Sequence, residues 1–255
     1  MAHDLQGRIA LVTGATSGFG LATTEALVRA GARVVATGRR RDRLEKLARA
    51  HPGEVHPVVL DLRDAPAIDG AVRGLPEGFA AIDVLVNNAG LALGLEPAQR
   101  ASLDEWNAML DTNCRALVTM TRAVLPGMVA RNRGHVVNVG SVAGNYPYPG
   151  GNVYGATKAF VRQFTLNLRA DLLGTAIRAT NIEPGMAETE FSLVRFGGDA
   201  ARAAKVYEGV TPLSAADVAE AILWAVSLPA HVNVNAIELM PVQQAFSPFA
   251  IARKT

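Results

Sequence analysis

Arg8 to Gly20 reads RIALVTGATSGFG. A short apolar, β-branched run ends at Thr13, and glycines follow at 14, 18 and 20. Leu21 to Ala30 then reads as a helix that stops at Gly31. Strand, tight glycine turn and helix make half of a βαβ unit. In such a turn the backbone can approach a pyrophosphate closely, and the helix N-terminus offers free N–H groups and the positive end of a dipole. The alternative is a glycine-rich turn with no ligand, and the spacing alone does not decide between them.

The next strand, Arg33 to Thr37, runs into GRRRDRL. An acid near the end of this strand would accept from the ribose 2′-OH of NAD. No acid precedes Asp42; Arg39, Arg40 and Arg41 stand there instead. Three cations at a helix start oppose its dipole. A bound 2′-phosphate would offset that cost, and arginine forks suit phosphate. NADP(H) is therefore expected over NAD(H), against the alternative of a solvated basic turn.

The pattern then repeats. Strands are expected at Glu54 to Leu60, Ile82 to Val86, Gly134 to Gly140, Ala176 to Ile182 and Val232 to Met240. Asp61, just past its strand, either accepts from an adenine amino group or caps the helix starting near Asp64. Leu75 to Ala81 reads as a loop. Asn87-Asn88-Ala89-Gly90 closes the fourth strand; it is either an Asn-rich turn or the small, amide-bearing edge that a ligand crosses. Asp104 to Arg131 reads as one long helix with Pro126 near its far end. Asn113, mid-helix, is unfavourable by propensity. Cys114 is most simply a small buried residue. Residues 186–212 show little periodicity and are expected to be a substrate-facing loop. Ser214 caps a last helix, with Asp217 in its first turn. The apolar tail 241–255 is expected to dock rather than hang free.

The fifth strand delivers Gly140 to Lys158, GSVAGNYPYPGGNVYGATK. Tyr154 and Lys158 are four apart and share a helix face. An ammonium at that distance is expected to lower the phenol's pKa from about 10. Ser141 would steady a substrate oxygen while Tyr154 moves a proton.

Composition bounds the rest. The 255 residues carry 25 basic and 23 acidic side chains and are 49% hydrophobic. No basic block argues for nucleic acid. The single cysteine excludes an internal disulfide framework, and no metal site is expected. The N-terminus MAHDLQGR lacks an apolar signal region, and no apolar run reaches the roughly 18 residues of a membrane span. A cytoplasmic protein is expected. With no linker and no repeat, residues 1–255 read as one α/β domain.

Taken together, Thr13-Gly14-x-x-x-Gly18-x-Gly20, Asn87-Asn88-Ala89-Gly90, Asn113, Ser141, Tyr154-x-x-x-Lys158 and Pro184-Gly185 resemble the short-chain dehydrogenase/reductase family over nearly the whole chain. The resemblance implies a Rossmann fold with a doubly wound parallel sheet of about seven strands. The runs TGATSGFG, ATGRR, NNAGLALG and YPGGNVYGATKAFVRQF are similar to the bacterial NADP-dependent 3-hydroxy acid dehydrogenases, a group that includes L-allo-threonine dehydrogenase and malonic semialdehyde reductase. AETEFSLVR and MPVQQAFSPFAI also resemble the sulfoacetaldehyde reductases. What this implies for the site follows residue by residue. Tyr154 would be the general acid/base, Lys158 would tune it and hold the nicotinamide ribose, and Ser141 would bond the substrate. Asn113 would bend its helix and position a water beside Lys158. Gly14, Thr16, Ser17, Gly18, Phe19 and Gly20 would cradle the pyrophosphate, and Arg39 with Arg40 the 2′-phosphate. Asp61 and Leu62 would line the adenine pocket. Asn88, Ala89 and Gly90 would pass beside the cofactor ribose, and Pro184, Gly185, Met186 and Thr189 would cover the nicotinamide side. An anionic aldehyde or hydroxy acid would need a cation, for which Arg195 stands first and Arg253 second, with Asn145 and Tyr148 adding neutral hydrogen bonds. A homotetramer built on the two long helices is implied. The alternatives are a sulfoacetaldehyde reductase, a ketoacyl-thioester reductase and a non-catalytic NADPH-binding protein.

Overall fold

A computed structural model of the chain describes residues 4–245. The strands are β1 (Ile9–Thr13), β2 (Arg33–Gly38), β3 (Val55–Val59), β4 (Val84–Asn87), β5 (Gly134–Val139), β6 (Ile177–Pro184) and β7 (Ala236–Leu239). The helices are α1 (Gly18–Arg29), α2 (Arg41–Ala50), α3 (Ala65–Arg73), α4 (Glu77–Ala80), α5 (Leu103–Leu110), α6 (Ala116–Ala130), α7 (Asn152–Asp171), α8 (Glu190–Arg195), α9 (Ala200–Lys205) and α10 (Ala215–Ser227). All seven strands pair in parallel, in the order β3-β2-β1-β4-β5-β6-β7.

Successive strand residues point to opposite faces, and both faces are covered. Ala10, Val12, Val34 and Ala36 pack with Leu27 of α1 and Val218 and Ile222 of α10. Leu11, Val35, Leu85 and Val136 pack with Met120 and Val124 of α6 and Leu168 of α7. This two-sided burial is why β1, β2 and β4 read as nearly continuous apolar runs.

Four expectations need correction. The loop over Leu75 to Ala81 contains the single-turn helix α4. The helix expected from Asp104 to Arg131 is three segments, with a π-helical turn at Asp111–Arg115 between α5 and α6. The stretch 186–212 holds α8 and α9, each capped by its own polar residue: Thr189 accepts from Phe191 N, and Asp199 from Arg202 N. β7 is shorter than Val232 to Met240 because Asn233 takes over part of the pairing. Its Oδ1 accepts from Ala179 N at 2.8 Å and its Nδ2 donates to Ala179 O at 3.1 Å, the two bonds a strand neighbour would make. The Ser214–Asp217 capping box forms as the sequence suggests.

His135 of β5 gives the fold a pH dependence. Its Nε2 lies 2.7 Å from Thr180 Oγ1, which itself donates to Val234 O. Thr180 must therefore accept, so Nε2 carries the proton. Nδ1 is buried with no partner among the described residues. Burial first, and then the nearby Arg178 charge, push the imidazole well below its ordinary 6.5. The unfolded chain binds that proton more readily, so stability is intact above about pH 6.5 and lost as pH falls, by up to about 1.4 kcal/mol per unit. The urea midpoint is expected to drop between pH 7 and pH 5, and His135→Val is expected to flatten that drop.

Candidate active site

The carboxyl ends of β1, β4, β5 and β6 open on one edge of the sheet. The chain's order reverses between β1 and β4, the place where an open α/β sheet leaves a crevice. The glycine turn sits there. Gly14 adopts φ +68°, a left-handed conformation that a side chain would strain. A Cβ on Gly20 would run into the Gly14 carbonyl oxygen, so α1 can approach β1 this closely only without one. Asn88 Nδ2 donates to Thr13 O at 2.8 Å, and the Asn88 and Ala89 amides both donate to Thr13 Oγ1 at 3.0 Å. The end of β4 is thus tied to the start of the turn. Phe19 packs half-buried on the core behind it.

The basic end of β2 wraps the same turn. Arg40 donates through Nε (3.0 Å) and Nη2 (2.8 Å) to Thr16 Oγ1, and through Nη2 to Ser17 Oγ at 2.7 Å. Its Nη1 donates to Glu190 Oε2 at 2.8 Å, and Arg43 Nη1 donates to Glu190 Oε1 at 2.7 Å. Arg39 is exposed and Arg41 faces Glu45. Arg43 and Glu190 were not foreseen. Arg43 was legible only as the next cation one helical turn past Arg40, and Glu190 comes from 150 positions away. Asp61 is held down at about 2, first by its hydrogen bond from Arg63. The cap of α3 is Asp64, accepting from Ala67 N at 3.0 Å, so Asp61 does not serve that role. Leu62 packs half-buried on the core face under α3.

Ser141, Tyr154 and Lys158 converge as their spacing suggests. Ser141 Oγ donates to Pro184 O at 3.3 Å and accepts from Ala143 N at 3.1 Å. Tyr154 and Lys158 are both buried. Lys158 Nζ donates to Val139 O at 2.9 Å and lies 5.8 Å from the Tyr154 ring centroid. Asn113, at the π-helical turn, is 1% exposed. It accepts from Leu91 N at 2.9 Å, donates to Leu91 O at 2.8 Å and donates to Thr157 Oγ1 at 3.0 Å. The mid-helix Asn therefore breaks the α-helical ladder to fasten the β4 loop onto α7. A Cβ on Gly90 would press on Asn113 Oδ1 at 3.3 Å and Lys158 Nζ at 3.4 Å. Cys114 is an inert neighbour whose thiol burial pushes up to about 11.

The expected lowering of the Tyr154 pKa by Lys158 is not found. Burial pushes the phenol up to about 12, while Ser141 and Arg195 pull only partly in the other direction. Burial likewise lowers Lys158 to about 8. The ammonium is directed at the Val139 carbonyl, and desolvation outweighs one helical turn of proximity. The phenol therefore keeps its proton at neutral pH.

Above the phenol lies α8 with its flanks. Phe191 packs 5.7 Å from Tyr154, ring centroid to ring centroid. Thr189 reaches within 3.4 Å of where a Gly18 Cβ would stand. Arg195 Nη2 donates to Tyr148 OH at 2.8 Å, and its guanidinium lies 5.5 and 5.6 Å from the Tyr148 and Tyr154 rings. Arg195 also donates to Gly94 O, while its own carbonyl accepts from Gly94 N, both at 3.3 Å. Asn145 is differently engaged. Its Nδ2 is shared between Glu183 (2.8 Å) and Glu238 (2.9 Å), which counts against a substrate contact from that nitrogen. Pro184 ends β6, and Gly185 N donates to Leu239 O at 2.8 Å. Gln244 accepts from Met186 N at 2.7 Å, and Gln243 accepts from Thr211 N at 2.7 Å. The start of the tail is thus laced to both ends of the stretch 186–212. Arg253 lies outside the described residues. Among these residues no His, Cys, Asp and Glu cluster suits a metal, and no helix is long and apolar enough to cross a membrane.

Comparison with known proteins agrees with this geometry. A family model described as short chain dehydrogenase matches residues 8–195. The chain is 56% identical to an NADP-dependent 3-hydroxy acid dehydrogenase, YdfG, of Salmonella typhi, over 96% of this chain and 99% of that one. It is 53% identical to sulfoacetaldehyde reductase 2 of Chromohalobacter salexigens, over 96% and 98%. A solved closed form of a serine dehydrogenase complexed with NADP+ superposes with a TM-score of 0.95 at 54% identity, covering 96% of this chain and all of that one.

Proposed function

This chain belongs to the short chain dehydrogenase family, and from that premise we propose that it is an NADP(H)-dependent oxidoreductase interconverting a small 3-hydroxy acid and its semialdehyde. The residues fit the cofactor. The Gly14–Gly20 turn leaves the close approach that a pyrophosphate needs, and Arg40, Arg43 and the neighbouring Arg39 suit a 2′-phosphate. Asp61 and Leu62 would border the adenine, Asn88 to Gly90 and Lys158 the ribose, and Pro184 to Thr189 the nicotinamide. NADP(H), when bound, supplies or takes up the hydride.

The chain's own part is proton control and orientation. Tyr154 is protonated at neutral pH and gives that proton to the substrate oxygen in reduction, taking it back in oxidation. The Ser141 hydroxyl, whose bond to Pro184 is long, is free to turn toward the same oxygen. Phe191 and α8 exclude water above the phenol. Asn113 fixes the floor beside Lys158, where a water would complete a proton path.

The observation that carries an anionic substrate is Arg195, a cation stacked over the rings of both Tyr148 and Tyr154. It supports a carboxylate anchor a few ångströms from the proton donor. The test is a kinetic panel with NADPH and small aldehydes bearing a carboxylate, a sulfonate or no charge. Arg195→Ala is expected to lower kcat/KM for the carboxylate aldehyde by roughly 10- to 100-fold, mostly through KM, since a charge-assisted bond is worth about 1.5–3 kcal/mol. An unchanged KM would rule out the anchor. Sulfoacetaldehyde as the better substrate would favour the second reading, which the 53%-identical reductase keeps open. A homotetramer in the cytoplasm belongs to the same reading. The exposed Leu110, Phe160 and Leu166 on α5 and α7 support burial of that face in an assembly.

A further inference from the structure

Glu190 is used by none of the steps above, yet its carboxylate sits at the cofactor edge between two arginines. Both oxygens are engaged, Oε2 by Arg40 and Oε1 by Arg43, at 2.8 and 2.7 Å. The same Arg40 also grips Thr16 and Ser17 of the glycine turn. Two guanidiniums, two hydroxyls and a carboxylate therefore form one closed cluster joining the glycine turn, the start of α2 and the first residue of α8. The donors that hold this carboxylate are the donors a phosphate monoester would use.

Resting on the NADP(H) reading, we propose that Glu190 is an internal counter-anion on the arginine pair. The cofactor's 2′-phosphate must displace it, so Glu190 limits the preference for NADP(H) over NAD(H). The reason is electrostatic. A dianionic phosphate and a carboxylate on the same two guanidiniums repel each other. A ribose 2′-hydroxyl is neutral and leaves the cluster in place. The arginines hold the Glu190 carboxyl down at about 2, so it is charged at every working pH. Its side chain is 43% exposed, so the competition is modest in size.

The test is direct binding by fluorescence titration or calorimetry, with NADPH, NADH and adenosine 2′-monophosphate as probes, on the intact protein and on Glu190→Gln and Glu190→Ala. Both variants are expected to bind NADPH and adenosine 2′-monophosphate about three- to tenfold more tightly, with NADH unchanged. If the unaltered protein prefers NADPH but neither variant gains affinity for the 2′-phosphate ligands, the displacement idea falls and the cofactor reading stands. If the unaltered protein binds NADH as well as NADPH, both fall together.

Discussion

Tyr154→Phe is expected to lower kcat for NADPH-driven reduction by about 10²- to 10⁴-fold while leaving NADPH affinity within a factor of about two. The phenol is the group whose proton sits where the substrate oxygen would arrive, under Phe191 and beside Arg195. No neighbour replaces it: the Ser141 hydroxyl orients the substrate oxygen, and the Lys158 ammonium donates to Val139 O. The ring itself survives in phenylalanine, so the packing of Phe191 and the cation over the ring persist. A pKa near 12 adds a directional consequence. Reduction, which needs the protonated phenol, should be nearly flat from pH 6 to pH 9 as far as Tyr154 is concerned, whereas oxidation should climb with pH. Single-turnover absorbance at saturating NADPH separates binding from chemistry. A Phe variant that still turns over with NADPH bound would end the assignment of Tyr154.

Lys158→Met is expected to move two quantities in opposite directions. Burial lowers the ammonium from 10.5 to about 8, which corresponds to roughly 3 kcal/mol of destabilisation when the charge is present in the folded protein. The sign follows from the proton count. Between about pH 8 and 10.5 the unfolded chain holds this proton and the folded chain does not, so stability rises with pH across that window. Below pH 8 the penalty is carried in full. Methionine removes it at a loss of one hydrogen bond to Val139 O, about 1 kcal/mol. The net gain is about 1–2 kcal/mol at pH 7, or a Tm some 2–8 °C higher. The gain should fade toward pH 10.5. Activity should fall by about 10²-fold or more, as for other sites that hold a destabilised charge for function. Melting curves at pH 7 and pH 10 alongside kcat decide the matter: a methionine variant that melts lower at pH 7 contradicts it.

The sheet could be read from the chain because its central strands are local apolar runs ended by turn residues, and their alternation with helices points to parallel pairing. The glycine turn, Ser141, Tyr154 and Lys158 were legible for a similar reason: their spacing is set within one or two elements. Other features depend on partners far along the chain. Asn145 looked like a substrate contact until Glu183 and Glu238, 38 and 93 positions away, took its amide. Asn113 was out of place by propensity and had a role only through the family resemblance; its amide partners, Leu91 and Thr157, lie on other elements. The helices α8 and α9 are six residues each, too short to imprint a periodicity. The Tyr154 pKa went the wrong way because burial, which the sequence does not show, outweighs the neighbouring ammonium.

The strand order also governs what the chain can complete as it is made. β1 lies between β2 and β4, although 70 residues separate Thr13 from Val84. The first three strands can join early, in the order β3-β2-β1, but that half-sheet ends in the unpaired edge of β1 until β4 arrives. Ile9 to Thr13 is fully buried in the finished protein, so this temporary edge is an apolar strand. Asp83, next to β4, accepts from Ile9 N at 3.0 Å and pairs with Arg133 at 2.6 Å. A nascent chain that stops short of Asp83 therefore leaves an open, sticky border, and the residue that seals it also recruits the strand that follows.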